Sequence, residues 1–532
     1  MRGFVAGATA AIGKQLIPRL VEAGHVSRNR APSGRYLRLV DGAPAAPPVG
    51  SAAEAEHEGP GATLRLLPST PIVSLAEYRA GGGLRGLEIA TASAPAEIVA
   101  TLLNSGLQGR GGAGFPAGRK WQTVASKTAS LGPADVVVNG AEGEPGTFKD
   151  RSILRRNPYL VIEGAFIAAR AVGADRVIIA MKASFTEEVA RTRDALTEMR
   201  GVDALPTNIA CAVFEGPDEY LYGEETALLE TIGGDGPFPR NAPPYRVGLL
   251  DQHRRPAAGP ALVNNVETIA NVPAIVAHGA RWFRTIGTPE SPGSVVCTVS
   301  GDVRKAGVGE VPMGVPLRRV LDDIGGGPLG PVKAVLSGVA NPVILEDHLD
   351  QPVSHEGLRA AGCGLGSAGF IVFAHPADMV AVAAGIARFL AIESCGQCTP
   401  CKTDGAELAA LLERLALSRA RAADLDTIER RIGTVDYGAR CYLGTQQATV
   451  LASIHERFRS EFEAHLTGTA PPAEPVLIAE MLDIRDGKAV LDERHRRKQP
   501  DWTYGRTSSG AAPADRKIRH RSTPLQLPSL RK

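Results

Sequence analysis

The stretch ESCGQCTPCK (393–402) spaces Cys395, Cys398 and Cys401 three residues apart, and ARCYLG places Cys441 downstream with 39 residues between. Thiolates are soft ligands, and a cluster of them reads as a metal centre. Paired disulfides do not fit a chain expected in a reducing compartment. Inert core thiols fit Cys211, Cys297 and Cys363, which stand singly in apolar or glycine-rich sequence, but not a triplet flanked by Gly396, Gln397, Thr399 and Pro400. Structural zinc sites favour separated C-x-x-C pairs. One tight loop offering three thiolates to three irons, with a distant thiolate for the fourth, suits a 4Fe–4S cubane better. Zinc stays as the weaker rival.

A helical hairpin would return Cys441 to that loop, and GAELAALLERLALSRARAADLDTIERRI (405–432) carries apolar residues at the spacings of three and four that predict one. A one-electron cluster also needs an electron partner. GLQGRGGAGFPAGRKW (106–121) contains G-x-G-x-x-G at Gly109, Gly111 and Gly114. A dinucleotide fingerprint needs a strand before and a helix after. Here AEIVATLLNSG (96–106) reads helical, and Phe115-Pro116 is expected not to open a regular helix directly. No G-K-[ST] follows Gly118, which excludes a P-loop. The bland alternative is a flexible loop. Arg110, Arg119 and Lys120 among the glycines read instead as an anion cradle, and Phe115 offers a face to a flat ring.

The elements that must position these residues alternate. DVVVN (135–139), RVIIAMK (176–182) and NIACAVFEG (208–216) read as strands; PYLVIEGAFIAARAV (158–172) and TEEVARTRDALTEMR (186–200) read as helices. That pattern predicts an α/β unit with a mainly parallel sheet, whose ligands bind beyond the strand ends. Two acidic pairs fall there: Glu142/Glu144 in NGAEGEPGTFKDR (139–151), and Glu224/Glu225, where a helix opens in EYLYGEETALLE (219–230).

The 532 residues are 44% hydrophobic, enough for several cores, and the formal charge of +2 hides an asymmetry. From Arg494 to Lys532 the net charge is +9, leaving the rest at −7. The apolar run MVAVAAGIARFLAI (379–392) is too short to span a membrane and contains Arg388. The first residues lack a convincing cleavage site, so the expected location is cytoplasmic. FVAGATAAIGKQLIPRLVEAGH (4–25) looks like the first βα unit of a short-chain-dehydrogenase Rossmann domain, with Ala10 where a glycine is usual. The polar VSRNRAPSGRY (26–36) offers no second strand, so a remnant is expected. Residues 42–62 read as a linker. VLIAEMLDIRDGKAVLDE (476–493) is expected to pack on the body, and the basic, proline-spotted remainder to extend as a disordered tail without nucleic-acid binding.

Five motifs in order, GRGGAGFPAGRKW, EGEPGTFKDR, YLYGEETALLE, VNNVETIANVP and ESCGQCTPC, together resemble the NADH-binding flavoprotein (51 kDa-type) of respiratory complex I, over about residues 85–465. The same unit occurs in NAD-dependent formate dehydrogenases and NAD-reducing hydrogenases. The resemblance implies an α/β protein with a Rossmann-like FMN/NADH domain (76–285), a ubiquitin-like β-grasp domain (286–360) and a helical bundle carrying the 4Fe–4S cluster (361–470). Outside it the sequence leaves an N-terminal extension with the βα remnant and linker (1–75) and a basic tail (471–532). The resemblance implies that NADH gives hydride to FMN and that single electrons pass to a cluster on Cys395, Cys398, Cys401 and Cys441. By position, Gly109, Arg110, Gly111, Gly112 and Lys120 match the flavin loop. Asn139, Glu142, Tyr220, Gly223, Glu224 and Glu225 match further flavin contacts, and Asn264, Asn265 and Thr268 the flavin phosphate site. Phe115 matches the ring that stacks on the NADH adenine, Tyr245 an aromatic of the dinucleotide pocket, and Glu144 a catalytic carboxylate beside the nicotinamide. Implied partners are a thioredoxin-like 2Fe–2S subunit and a further redox subunit of complex I, formate dehydrogenase or hydrogenase type, through which the chain is peripheral to a membrane it does not itself span.

Three departures fall on the pocket the resemblance implies and none on the cysteines. Ala141 replaces an Asp that helps hold the flavin, Thr123 replaces a second aromatic after Trp121, and PRNAPPYR (239–246) has Ala242 for Lys and Tyr245 for Phe. Two other functions are consistent with them: an FMN/4Fe–4S electron-transfer subunit that does not use NADH, and a degenerate scaffold paralogue.

Overall fold

The computed structural model describes residues 26–31, 34–39, 65–250 and 258–500. Its contacts divide into two units, 1–62 and 63–532. In the first, β1 (Val26–Ala31) and β2 (Gly34–Leu39) form an antiparallel ladder from Val26↔Leu39 to Ala31↔Gly34. The expectation of no strand here is therefore corrected: a two-residue connection lets backbone hydrogen bonds pair even a polar, basic sequence. The expected βα remnant (4–25), the linker (42–62) and the tail beyond residue 500 lie outside the described residues.

The second unit starts from a parallel sheet of β3 (Ala134–Gly140), β4 (Ala174–Lys182), β5 (Ala210–Gly216) and β6 (Ala261–Asn265), in the order β5-β4-β3-β6. All three pairings are parallel. Val136, Val137 and Val138 are fully buried, as central strands covered on both faces require. The chain runs outward from β3 to β5, then returns to the other side of β3 for β6. That reversal leaves a crevice at the carboxyl ends of β3 and β6, the usual ligand position in open α/β sheets. The helix Ala117–Leu131 begins straight after the glycine loop, with Pro116 as its N-cap at φ −59°. The expectation that Phe115-Pro116 could not open a helix is thus corrected. At a helix start the missing proline N–H costs nothing, and its φ is already suitable.

A second sheet has the order β8-β7-β10-β9, from β7 (Ser294–Gly301), β8 (Gly307–Pro312), β9 (Val332–Ser337) and β10 (Gly369–Ala374). Its central pair β7/β10 is parallel and its outer pairs are antiparallel. The helix Leu317–Gly325 buries Leu317, Val320, Leu321 and Ile324 in that core. β10 joins this sheet from about seventy residues beyond β7. GFIVFA is a short apolar run next to glycine-rich sequence, and length alone did not assign it to this sheet.

The last part is helical. Met379–Glu393 packs against Thr399–Ala416, which is followed by Ala422–Ile432, Leu443–Arg457 and Arg459–Thr467. Leu408, Leu411, Leu412 and Leu415 project from one stripe into a shared core, as their spacing predicts. The chain then packs on past residue 471. Val476 N–H donates to the Ala381 carbonyl at 3.0 Å, and the hairpin β11 (Met481–Arg485)/β12 (Lys488–Leu491) follows. The apolar piece therefore docks, as expected. Among the described residues no helix is long and apolar enough to cross a membrane.

Candidate flavin cavity and cysteine cage

Cys395 and Cys398 lie in the connection after helix Met379–Glu393, Cys401 lies in the first turn of the next helix, and Cys441 precedes helix Leu443–Arg457. The helical hairpin returns Cys441 as its spacing required, and all four sulfurs line one pocket with Leu221, Pro239 and Leu443. Four cysteines lining one pocket suit a 4Fe–4S cluster. Burial pushes the Cys401 thiol up to about 11 and the Cys441 thiol to about 12, so cluster assembly must displace protons. Polar neighbours attend the sulfurs: Arg440 N–H donates to Cys398 Sγ at 3.4 Å, and Gln397 Nε2 to Cys395 Sγ at 3.5 Å. All seven cysteines are free thiols, and Cys211, Cys297 and Cys363 are buried apart from the cage as expected.

A cavity of about 710 Å³ opens at the β3/β6 crevice. Of the residues expected around a flavin or dinucleotide, it is lined by Gly109, Gly111, Gly112, Phe115, Lys120, Asn139, Glu142, Glu144, Tyr220, Gly223, Glu224, Glu225, Asn264, Asn265 and Thr268. The loop Gly111–Gly114 is a turn on the cavity wall. Gly112 sits at φ +115°, and a Cβ on Gly111 would come 3.3 Å from Asn265. Such a glycine-rich loop, with little side chain to keep a ligand off its backbone, fits an anion such as a phosphate. Lys120 stands beside it, paired to Glu225 at 2.6 Å, and Phe115 is 55% exposed at the rim, free to stack.

Several predicted residues have roles that the sequence did not disclose. Arg110 does not line the cavity. It is buried, its guanidinium donates to the carbonyls of Pro292 (3.2 Å) and Ser294 (2.9 Å), and its N–H donates to Thr268 Oγ1 at 2.8 Å. Long side chains can turn away from a loop whose backbone faces the ligand. Tyr245 packs partly buried against the main core and does not border the cavity. Arg119 is exposed and outside it. Glu142 accepts the Lys149 and Asp150 N–H groups at 3.0 Å each and pairs with Arg151 at 3.2 Å, so it caps the helix Lys149–Arg156. Glu224 caps the helix Glu225–Ile232 through the N–H groups of Thr226 and Ala227. Asn264 accepts from Trp121 Nε1 at 2.8 Å, and Asn139 donates to the Gly223 carbonyl at 2.8 Å. Of the departures, Ala141 alone borders the cavity; Thr123, Ala242 and Tyr245 do not.

Glu144 is held by the Val339 N–H at 2.7 Å and by the Tyr220 hydroxyl. Burial raises its carboxyl above the usual range, against both hydrogen bonds. Tyr220 in turn accepts from Gln446 Nε2 at 2.9 Å. Lys149 and Asp150 also line the wall, joined at 2.7 Å, with Asn265 donating to Asp150 at 2.6 Å. They lie inside the EGEPGTFKDR motif, where a charged pair next to glycine was a usable signal. Asn341 and Ser367, from loops of the second sheet, and Gln446 carried no sequence signal at all. Leu221, Cys441 and Leu443 border both the cavity and the cage.

Comparison with known proteins matches the regions in which both sites lie. Residues 102–274 match the family model described as the Nuo51 FMN-binding domain, and residues 381–465 match the NADH-ubiquinone oxidoreductase-F iron-sulfur binding region. An F-type subunit of the NADH-quinone oxidoreductase of Rhizobium meliloti is 39% identical over 405 residues, covering 74% of this chain and 94% of that one. The NADP-reducing hydrogenase subunit HndC of Solidesulfovibrio fructosivorans is 35% identical, covering 75% of this chain and 82% of that one. A crystal structure of an NAD+-reducing [NiFe]-hydrogenase in the H2-reduced state aligns with TM-score 0.65 and 33% identity, covering 71% of this chain and 63% of the hydrogenase chain. With FMN-binding and iron–sulfur regions both matched in order, and a relative followed almost end to end, the chain belongs to the family of F-type subunits of NADH-quinone oxidoreductase.

Proposed function

We infer that this chain is an electron-input flavoprotein, taking hydride from NADH and passing single electrons to a partner redox protein by way of FMN and a 4Fe–4S cluster. The observation that carries this function is the common wall: Leu221, Cys441 and Leu443 face the cavity on one side and the cage on the other. FMN, when bound, accepts two electrons and releases them one at a time. The residues of this chain bind and orient. The Gly111–Gly114 amides, Lys120, Asn265 and Thr268 are assigned to the flavin phosphate side, Phe115 to the adenine, and Glu144 to the nicotinamide. Hydride transfer needs alignment rather than a general base, and alignment is worth about 7–11 kcal/mol of barrier. Tyr220 and Val339 hold Glu144 in one place, which serves that alignment.

The second sheet, with a parallel central pair and the helix Leu317–Gly325 packed on it, is read as the β-grasp domain. The partners are read as redox subunits of the complex I or hydrogenase type, as the relatives' names suggest, and the 2Fe–2S subunit among them rests on the family resemblance alone. Anaerobic NADH titration tests the function. Flavin bleaching should be followed by the paramagnetic signal of a reduced 4Fe–4S cluster. Protein that dithionite reduces but NADH does not would overturn the NADH assignment.

A further inference from the structure

Tyr220, on the cavity wall, is held at two ends. Its hydroxyl joins Glu144 and Gln446, while its N–H donates to Glu393 Oε2 at 3.0 Å. Glu393 ends the helix that leads into the cysteine loop, and it is buried. Its other oxygen accepts from His495 Nε2 at 3.1 Å and from Lys498 Nζ. Phe389 lies between, edge-on to Tyr220 at 5.3 Å and stacked on His495 at 5.0 Å. His495 and Lys498 come from beyond residue 465, where the matched iron–sulfur region ends.

The segment that delivers them is anchored along its way. Val476 bonds to Ala381, Glu480 pairs with Lys182 at 2.5 Å, Arg151 donates to the carbonyls of Met481 and Leu482, and Ala306 N–H donates to the Gly487 carbonyl. These contacts tie it to the helical part, the parallel sheet and the second sheet before it reaches Glu393. We propose that residues 473–498 act as a positioning strap: His495 and Lys498 fix Glu393, and Glu393 fixes the Tyr220 turn between cavity and cage. A buried carboxylate that loses its cation is strongly destabilised where it stands and turns toward any water it can reach. The Tyr220 N–H then loses its acceptor, and the hydroxyl that orders Glu144 loses its fixed base. The consequence for NADH rests on the function proposed above; the strap itself does not.

The test uses the full-length protein with flavin and cluster loaded. In Lys498→Met, amide exchange at Tyr220 should quicken by roughly tenfold relative to wild type, with β4 unchanged and Lys498→Arg restoring protection. His495→Gln keeps the fold under less demand and should move the same amide in the same direction by a smaller factor. In a double-mutant cycle with Tyr220→Phe, the effects on the KM for NADH should be strongly non-additive, with kcat moving less. An unchanged Tyr220 amide overturns the strap, and so does exchange rising equally across the protein. If exchange responds as expected but NADH never bleaches the flavin, the strap stands and the NADH assignment falls.

Discussion

The cysteine cage and the flavin cavity share a wall but are built in opposite ways. Three of the cage's four sulfurs come from seven consecutive residues, and one helical hairpin supplies the fourth. The cavity is walled by the glycine loop, the β3 loop, the Tyr220 turn, the end of β6, two loops of the second sheet and the start of a cluster helix. A site made of adjacent ligands fails when one ligand goes. A site assembled from distant segments fails when their packing shifts. The largest expected effects separate the two. Cys398→Ala should abolish the 4Fe–4S signal and most protein-bound iron while flavin stays bound, as measured by iron assay and paramagnetic resonance. If Cys398→Ala releases flavin as well, the two sites are not independent.

The converse variant is Gly112→Val. At φ +115° a β-branched residue is strained by about 1–3 kcal/mol, and its side chain enters the cavity. Flavin affinity should fall by roughly tenfold to a hundredfold, while iron content is unchanged. Equilibrium dialysis of the apoprotein against FMN measures it.

The same contrast explains what could be read from the sequence. The cage was legible because C-x-x-C-x-x-C is local and the 3.6-residue period of 405–432 has one solution. The strands β3, β4 and β5 were legible because buried parallel strands are unbroken apolar runs. β10 was not assigned to its sheet, since pairing β7 with β10 depends on contacts across about seventy residues that no local pattern encodes. Side-chain direction was the other blind spot. Arg110 looked like a phosphate ligand because it stands among glycines, yet its guanidinium points to Pro292 and Ser294. Glu142 and Glu224 line the cavity and also cap helices, a second role that acidic residues before a helix commonly take.

Acid should act on the cavity more than on a patch of surface, because a buried histidine supports the glycine loop. A Cβ on Gly114 would lie 2.7 Å from the His355 ring, so the ring fills the space behind the loop. Burial, with Arg110 and Arg359 nearby and only Glu356 opposing, lowers the His355 imidazole to about 4 from its ordinary 6.5. Above 6.5 it is neutral in both folded and unfolded chains, and its contribution is complete. As pH falls from there toward 4, the unfolded chain takes up a proton that the folded state excludes, so stability drops, by up to about 3 kcal/mol. His355→Phe should remove that part of the acid sensitivity. Thermal melting and flavin release compared at about pH 5 and about pH 7.5 check it, and equal losses in wild type and variant would reject the role.

The smallest effect is expected where the family resemblance raised the most concern. Thr123 and Ala242 replace residues that the resemblance places in the dinucleotide pocket, but neither borders the cavity. Thr123 lies on the helix Ala117–Leu131, and its hydroxyl donates back to the Arg119 carbonyl at 2.9 Å. Restoring the family's types by Thr123→Phe and Ala242→Lys therefore adds side chains outside the wall. Substitutions away from a site usually stay within about 0.5 kcal/mol, so the KM for NADH should change by no more than about twofold. Ala141→Asp is the control inside the wall. Ala141 is buried there, its N–H donates to Asn139 Oδ1, and a carboxylate at this position would add to a wall that already holds Glu142, Glu144 and Asp150. It should shift flavin affinity well beyond the twofold allowed to the other two. If Ala242→Lys tightens NADH as much as Ala141→Asp alters flavin binding, the cavity extends to residue 242 when the dinucleotide is bound, and the binding wall is larger than the cavity of the free protein.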